Sequence, residues 1–97
     1  MIRSFHHAGT EDVFNGRNTR VARRACSQAV WRVARRKLDQ LDTVDSLDEL
    51  RLPPGNQLEA LSGDRQGQHS IRINEQYRIC FLWTPQGPER VEIVDYH

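Results

Sequence analysis

Hydrophobic and polar positions switch period near the middle of the chain. Between residues 19 and 41, Cys26, Ala29, Val30, Val33, Ala34, Leu38 and Leu41 recur at the spacing of one helix face. No Gly or Pro interrupts them. The pattern predicts one long amphipathic helix over 19–41 with Thr19 as its N-cap. Arg20, Arg24, Arg32 and Arg36 align along the other side. Ahead of it, residues 1–4 read as a short strand. Residues 10–14 read as a brief helix, with Thr10 as N-cap and Glu11 and Asp12 in its first turn. Asn15-Gly16-Arg17-Asn18 is a turn pattern.

Residues 42–50 are polar and acidic, and Thr43 or Asp45 is placed to cap one short helix ending near Leu50. Pro53-Pro54-Gly55-Asn56 then excludes regular structure. Beyond it the period becomes two. Residues 57–61 are a short strand candidate closed by a Ser62-Gly63-Asp64 turn. Over 68–74, Ile71 and Ile73 oppose Ser70 and Arg72. Over 76–83, Tyr77, Ile79, Phe81 and Trp83 oppose Arg78, Cys80 and Leu82. Asn74-Glu75 predicts a tight hairpin, and Pro85-Gln86-Gly87-Pro88 a loop. Residues 90–96 predict a last strand with Val91 and Ile93 opposed to Glu92 and Val94. The predicted class is α+β, with N-terminal helices, one of them long and amphipathic, packed on a small antiparallel sheet.

At 97 residues the chain suits a single domain over 1–97, which buries only about 60–70% of its unfolded surface. With 37% hydrophobic and 28% charged residues it reads as a soluble globular protein. No apolar run approaches the ~20 residues of a membrane span, so no membrane partner is expected. The N-terminus lacks the apolar stretch of a signal peptide. Cys26 and Cys80 are too few for a disulfide framework and lack metal-ligand spacing. Two buried thiols in a reducing cytoplasm are expected.

Charge changes the picture. Up to residue 37, nine basic side chains face two acidic ones, a surplus of seven; beyond it, five face eleven, a deficit of six. Thirteen of the fourteen basic residues are Arg, whose planar fork grips phosphate or carboxylate at two points. The basic first third suits a polyanion or an acidic partner. A solvated helix face balanced by the acidic half is the plain alternative.

Arg78 is the most informative single residue. Strand parity turns it away from Tyr77, Ile79 and Phe81, to the middle of the opposite sheet face, where a charge needs a partner or a ligand. A salt bridge to a cross-strand acid such as Glu92 is its structural use. Arg72, on the same face of the neighbouring strand, would complete a pair suited to a phosphodiester. The sequence closes on Asp95-Tyr96-His97. An α-carboxylate beside His97 favours the imidazolium form, a group suited to acid–base work near neutrality. Tyr96 adds a phenol that donates to a phosphate oxygen or stacks on a base. A frayed terminus without a role is the alternative. His6-His7 lacks ligand spacing, so no metal and no cofactor are expected. His69 opens a strand and reads as a surface residue.

These residues carry a resemblance. Leu61-Ser62-Gly63-Asp64-Arg65, Ser70-Ile71-Arg72-Ile73-Asn74, Tyr77-Arg78-Ile79, Trp83 and Val94-Asp95-Tyr96-His97, with the opening Ile2-Arg3-Ser4-Phe5, resemble the RelE/HigB superfamily of bacterial toxins, in its HigB (host inhibition of growth) branch. The resemblance implies a microbial-RNase-like fold and a cytoplasmic, ribosome-dependent, metal-independent endoribonuclease that cleaves mRNA. It implies a cognate helix-turn-helix antitoxin as partner, through which alone operator DNA is bound. Arg78 matches the family's phosphate-binding catalytic arginine, Tyr96 and His97 its terminal catalytic pair, and Asp95 the acid before them. Arg65 and Arg72 are further expected RNA contacts, with Arg20, Arg24, Arg32 and Arg36 on rRNA backbone or on the antitoxin. The chain departs from the pattern twice. Glu59 stands where some members have a catalytic His, and Ser62 where some have a Lys. Both changes imply a weaker or differently tuned nuclease, in which the Glu59 carboxylate could act as base. They also keep open a growth inhibitor that occupies ribosome or assembly-factor surfaces without cleaving. A gyrase inhibitor on the same scaffold is opposed by Tyr96-His97.

Overall fold

The structure is a computed structural model that describes residues 1–96. Its first helix, α1 (Ala8–Phe14), begins two residues earlier than its sequence suggests. His7 is the cap, with Nδ1 accepting from the Thr10 backbone N–H at 3.3 Å. Thr10 lies inside the helix, fully buried, where Oγ1 accepts from the Ile93 backbone N–H at 3.0 Å and ties helix to sheet.

The single helix over 19–41 is not formed. Thr19 does cap a helix, accepting from Ala22 N, but that helix, α2 (Arg20–Ala25), stops at Cys26, whose backbone is extended. Ser27 then caps a 3₁₀ turn over Gln28–Val30, and α3 (Trp31–Thr43) follows. Ser27 offers its own oxygen to the Ala29 N–H, a local alternative to the helical bond. The Trp31 indole donates to the Cys26 carbonyl at 3.0 Å and satisfies the broken end. The break keeps Ala22 and Cys26 buried together with Ala34, Leu38 and Leu41, so periodicity alone does not register it. Ala29, placed on the apolar side by that period, is instead turned out to solvent. Gly9 lets α1 approach α2 closely, because a Cβ there would stand 2.4 Å from the Val21 carbonyl oxygen.

After α3 the expected short helix is a 3₁₀ segment, Leu47–Arg51, capped by Ser46 rather than Thr43 or Asp45. The backbone N–H groups of Asp45 and Ser46 both donate to Glu49 Oε2 at 2.8 Å, which holds that carboxyl below its ordinary range. The Pro-rich stretch still forms one 3₁₀ turn, Pro54–Asn56.

Four strands follow in an antiparallel meander of order β1-β2-β3-β4: β1 (Glu59–Ala60), β2 (His69–Arg72), β3 (Tyr77–Thr84) and β4 (Gly87–Asp95). The β2–β3 turn forms because Asn74 Oδ1 accepts from the N–H groups of Gln76 and Tyr77. The β3–β4 turn is tighter than the sequence suggests. Only Pro85 and Gln86 separate the strands, and Gly87 and Pro88 already belong to β4. Gly87 has φ +129°, and a Cβ on it would meet the Met1 carbonyl oxygen at 2.4 Å. Residues 1–4 form no strand. They run beside β4, with bonds from Arg3 N to Pro88 O and from Val91 N to Ser4 O, and close on a single parallel bridge between Phe5 and Val91.

The core joins one sheet face (Ile71, Ile73, Tyr77, Ile79, Phe81, Val91 and Ile93) to Val13 of α1, Ala22 of α2 and Ala34, Leu38 and Leu41 of α3. His69 belongs to this side as well, half-buried and stacked on Phe81, rather than free on the surface. Pairing register places Glu59, Ser70, Cys80 and Glu92 in one row on the opposite face, with Arg72, Arg78 and Val94 in the next.

Candidate active site

Arg78 is only 7% exposed, yet it is a cation on a sheet face. Three neighbours fix its plane. Nε donates to Ser70 Oγ at 2.8 Å, Nη2 donates to the Gln57 carbonyl at 2.7 Å, and Nη2 stands 3.5 Å from Glu59 Oε1. The guanidinium also lies over the Tyr96 ring, 5.7 Å from its centroid, in cation–π geometry. Nη1 has no such partner among the described residues. The expected ion pair with Glu92 does not form. Arg78 faces Arg72 and Val94 across the sheet, whereas Glu92 sits one rung away opposite Cys80 and pairs with Arg65 at 2.7 Å. Arg72 is directly opposite Arg78, so two like charges share one rung. Such a pair is unfavourable unless an anion lies between or beside it.

The Gln57 carbonyl reaches Arg78 through an elbow that sequence reasoning missed. Gln57 is left-handed, φ +46°, a conformation unfavourable for a side chain with a Cβ. The preceding Asn56 is fully buried, and its Nδ2 donates to the carbonyls of Leu50 and Leu52 and to Gln40 Oε1. Asn56 Oδ1 accepts from Lys37 Nζ of α3. Lys37 is itself 9% exposed, and burial, then the neighbouring Arg36, lowers its pKa. The signal was in the sequence: the one Lys among thirteen Arg lies on the apolar side of the helix, three residues after Ala34.

A cleft of about 220 Å³ is bordered by Glu59 and Tyr96, the two surface partners of Arg78, with Ala60, Leu61, Ser62 and Arg65. Glu59 and Ser62, the two departures from the family pattern, therefore both border it. The hydrogen bond to Glu92 makes the Arg65 guanidinium still harder to deprotonate. Asp95 accepts from Gln76 Nε2 at 3.1 Å, and Tyr96 is bound through its backbone N–H to the Gln76 carbonyl. His97 lies outside the described residues. His6 and His7, set aside as metal ligands, stand 4.0 and 3.9 Å from Glu92 Oε2. Among the described residues no group of His, Cys, Asp and Glu is arranged to hold a metal ion. Burial raises the pKa of both thiols, that of Cys26 to about 11.

The basic row does not join this cleft. Arg20 and Arg24 are exposed on α2, and Arg32 and Arg36 on α3, where with Arg35 and Asp39 they border a separate depression of about 450 Å³. α3 and the core lie between that depression and the Arg78 face. No helix among the described residues is long and apolar enough to cross a membrane.

A four-stranded antiparallel meander backed by helices, with a fixed arginine on its open face, defines a RelE-like fold. A YoeB-YefM complex from Staphylococcus aureus contains a chain of similar fold, at TM-score 0.54 and 13% identity over 100% of this chain and 98% of that one. The sequence model described as "RelE-like toxin of type II toxin-antitoxin system HigB" matches residues 3–97, and the chain belongs to that HigB-like family. It is 50% identical over 49 residues to Toxin HigB-1 of Vibrio cholerae, which is 50% of this chain and 52% of that protein. It is 38% identical over 54 residues to an uncharacterized protein of Haemophilus influenzae, 56% of this chain and 54% of that protein. The chain spans about half the length of the curated relatives it matches.

Proposed function

We propose that this chain is a growth-inhibiting toxin that cleaves mRNA on the ribosome. The observation that carries the reading is Arg78, buried, fixed on Nε and Nη2, and in contact with Glu59 and Tyr96, both of which border a cleft. A fixed guanidinium next to an opening suits charge developing on phosphorus, because its orientation costs nothing at the moment of reaction. The ribose 2′-oxygen attacks the adjacent phosphorus and its proton passes to a carboxylate, the role proposed for Glu59. The bond from phosphorus to the 5′-oxygen breaks. His97, assigned from the family resemblance, returns a proton to that oxygen. The products are a 2′,3′-cyclic phosphate and a 5′-hydroxyl. Tyr96 stacks on a base or directs the phosphate, and Arg72 and Arg65 hold the backbone alongside. A cognate antitoxin is the second partner, consistent with family membership and with a structural neighbour that is a two-protein complex.

A second reading, growth inhibition without cleavage, draws on Glu59, whose carboxylate partly neutralises Arg78 and repels a phosphate. Induced expression of wild type and Arg78→Ala separates the two, with circular dichroism confirming that both fold. Growth arrest by the wild type and its relief by the variant is the expected result, reflecting a rate loss of about 10²–10³. Arrest that survives Arg78→Ala favours the non-cleaving reading.

A further inference from the structure

A second cleft, of about 470 Å³, is bordered by His6, Asp64, Arg65, Gln68, Arg90 and Glu92. Arg65 borders the Arg78 cleft too, so the two openings meet around one guanidinium. An independent backbone feature points into the same place. Cys80 pairs with Glu92 but Leu82 pairs with Glu89, so β4 bulges and Phe81 faces both Arg90 and Val91. In the bulge Arg90 has φ +54° and is held there by its N–H bond to Ser4 Oγ at 2.9 Å. Gly, Asn or Asp suits that backbone better than Arg. Bulges beside active sites redirect a side chain, and this one sets a long cation on the edge of the cleft. Arg65 is paired with Glu92 through Nη1 and keeps Nη2 for a ligand, whereas Arg90 has no ion pair among the described residues.

We propose that this cleft is a phosphate subsite for single-stranded RNA, in which Arg90 grips the phosphodiester next to the one held at Arg78. The inference rests on the ribonuclease reading and adds a second point of attachment to it. Two adjoining cationic points track a flexible backbone, and each bound phosphate adds to the salt dependence of binding. Asp64 offers an acceptor to the adjoining ribose, Gln68 Oε1 braces Arg65 Nη1 at 3.2 Å, and His6 faces Glu92 Oε2 across the cleft mouth.

The test is binding of a short 2′-O-methyl oligoribonucleotide, which lacks the attacking hydroxyl and stays intact, followed by fluorescence anisotropy over a range of salt. Arg90→Gly relieves the left-handed strain, so its melting temperature is expected to equal or exceed that of the wild type. Its affinity is expected to fall about tenfold, and the slope of log affinity against log salt to shrink by about 0.7. Arg90→Lys keeps the charge and is expected to retain the slope. Wild-type affinity and slope in Arg90→Gly, with weakened binding in Arg78→Gln, would overturn the subsite and leave the Arg78 reading intact. Equal losses in Arg90→Gly and Arg90→Lys would overturn it in favour of a purely structural bulge. Absence of salt-dependent binding by the wild type would overturn it as well, and cleavage on ribosomes then judges the Arg78 reading separately.

Discussion

Arg78 is held by contacts of three kinds, and each sets a different part of its behaviour. Ser70 and the Gln57 carbonyl fix the plane, Glu59 offsets the charge, and Tyr96 covers a face. Lysine offers one point charge and no fork, so the position is specific to arginine. At the two thiols burial leads. The thiol of Cys26 is raised to about 11 because it is enclosed in apolar surroundings, and that of Cys80 is raised by burial before any neighbouring charge. The sign of the consequence follows. Above about pH 9 the unfolded chain loses these protons while the folded chain keeps them, so the folded state binds more protons and stability falls as pH rises from 9 towards 11. Urea unfolding at a series of pH values is expected to show that fall, and Cys26→Ala to flatten it. An unchanged slope in the variant would contradict the burial argument.

At the scale of elements, the path from α3 to Arg78 runs through Lys37, Asn56 and Gln57. Asn56→Ala strips the buried ammonium of its acceptor and leaves the Leu50 carbonyl without a donor, and is expected to cost about 2–4 kcal/mol in thermal or urea unfolding. Under the proposed nuclease function, its cleavage rate is expected to fall at temperatures where the variant remains folded, because the Gln57 carbonyl no longer holds Nη2. Gln57→Gly relaxes the left-handed residue and keeps the carbonyl, and so is expected to retain activity. Loss of stability without loss of activity in Asn56→Ala would show that the elbow is structural only. The strands were legible in the sequence because Ile71, Ile73, Tyr77, Ile79 and Phe81 alternate against Ser70, Arg72, Arg78 and Cys80, and parity puts Arg78 on the open face without knowledge of its partners. The elbow was not legible. Lys37 and Asn56 are 19 residues apart and neither spacing nor composition joins them. The break at Cys26 was hidden for a related reason, since an extended residue and a 3₁₀ turn preserve the apolar phase of an unbroken helix. The Arg78–Glu92 pair failed on register, which one rung of sheet decides.

Across the whole molecule, charge is divided between two outer faces with the core between them. The sheet face carries Arg78, Arg72 and Arg65 among acids; the outer side of α3 carries Arg32, Arg35 and Arg36, with Asp39 bordering the same depression. Under the proposed function this separation would assign chemistry to one face and attachment to the ribosome to the other. Arg32→Glu/Arg36→Glu is therefore expected to weaken ribosome-dependent cleavage through a raised KM with little change in kcat, and to do so more strongly at low salt. A fall in kcat alone would place those arginines near the chemistry instead.

On the function proposed above, Arg78 stabilises phosphoryl transfer in mRNA held by the ribosome. The most direct measurement is mapping of new 5′ ends on a defined mRNA in a purified translation system, with wild type and folded Arg78→Ala compared. Cuts that require ribosomes, carry 5′-hydroxyl ends and fall by about 10²–10³ in the variant are expected. Cuts of equal rate in the variant, or none from a wild type that arrests growth, would contradict that role for Arg78.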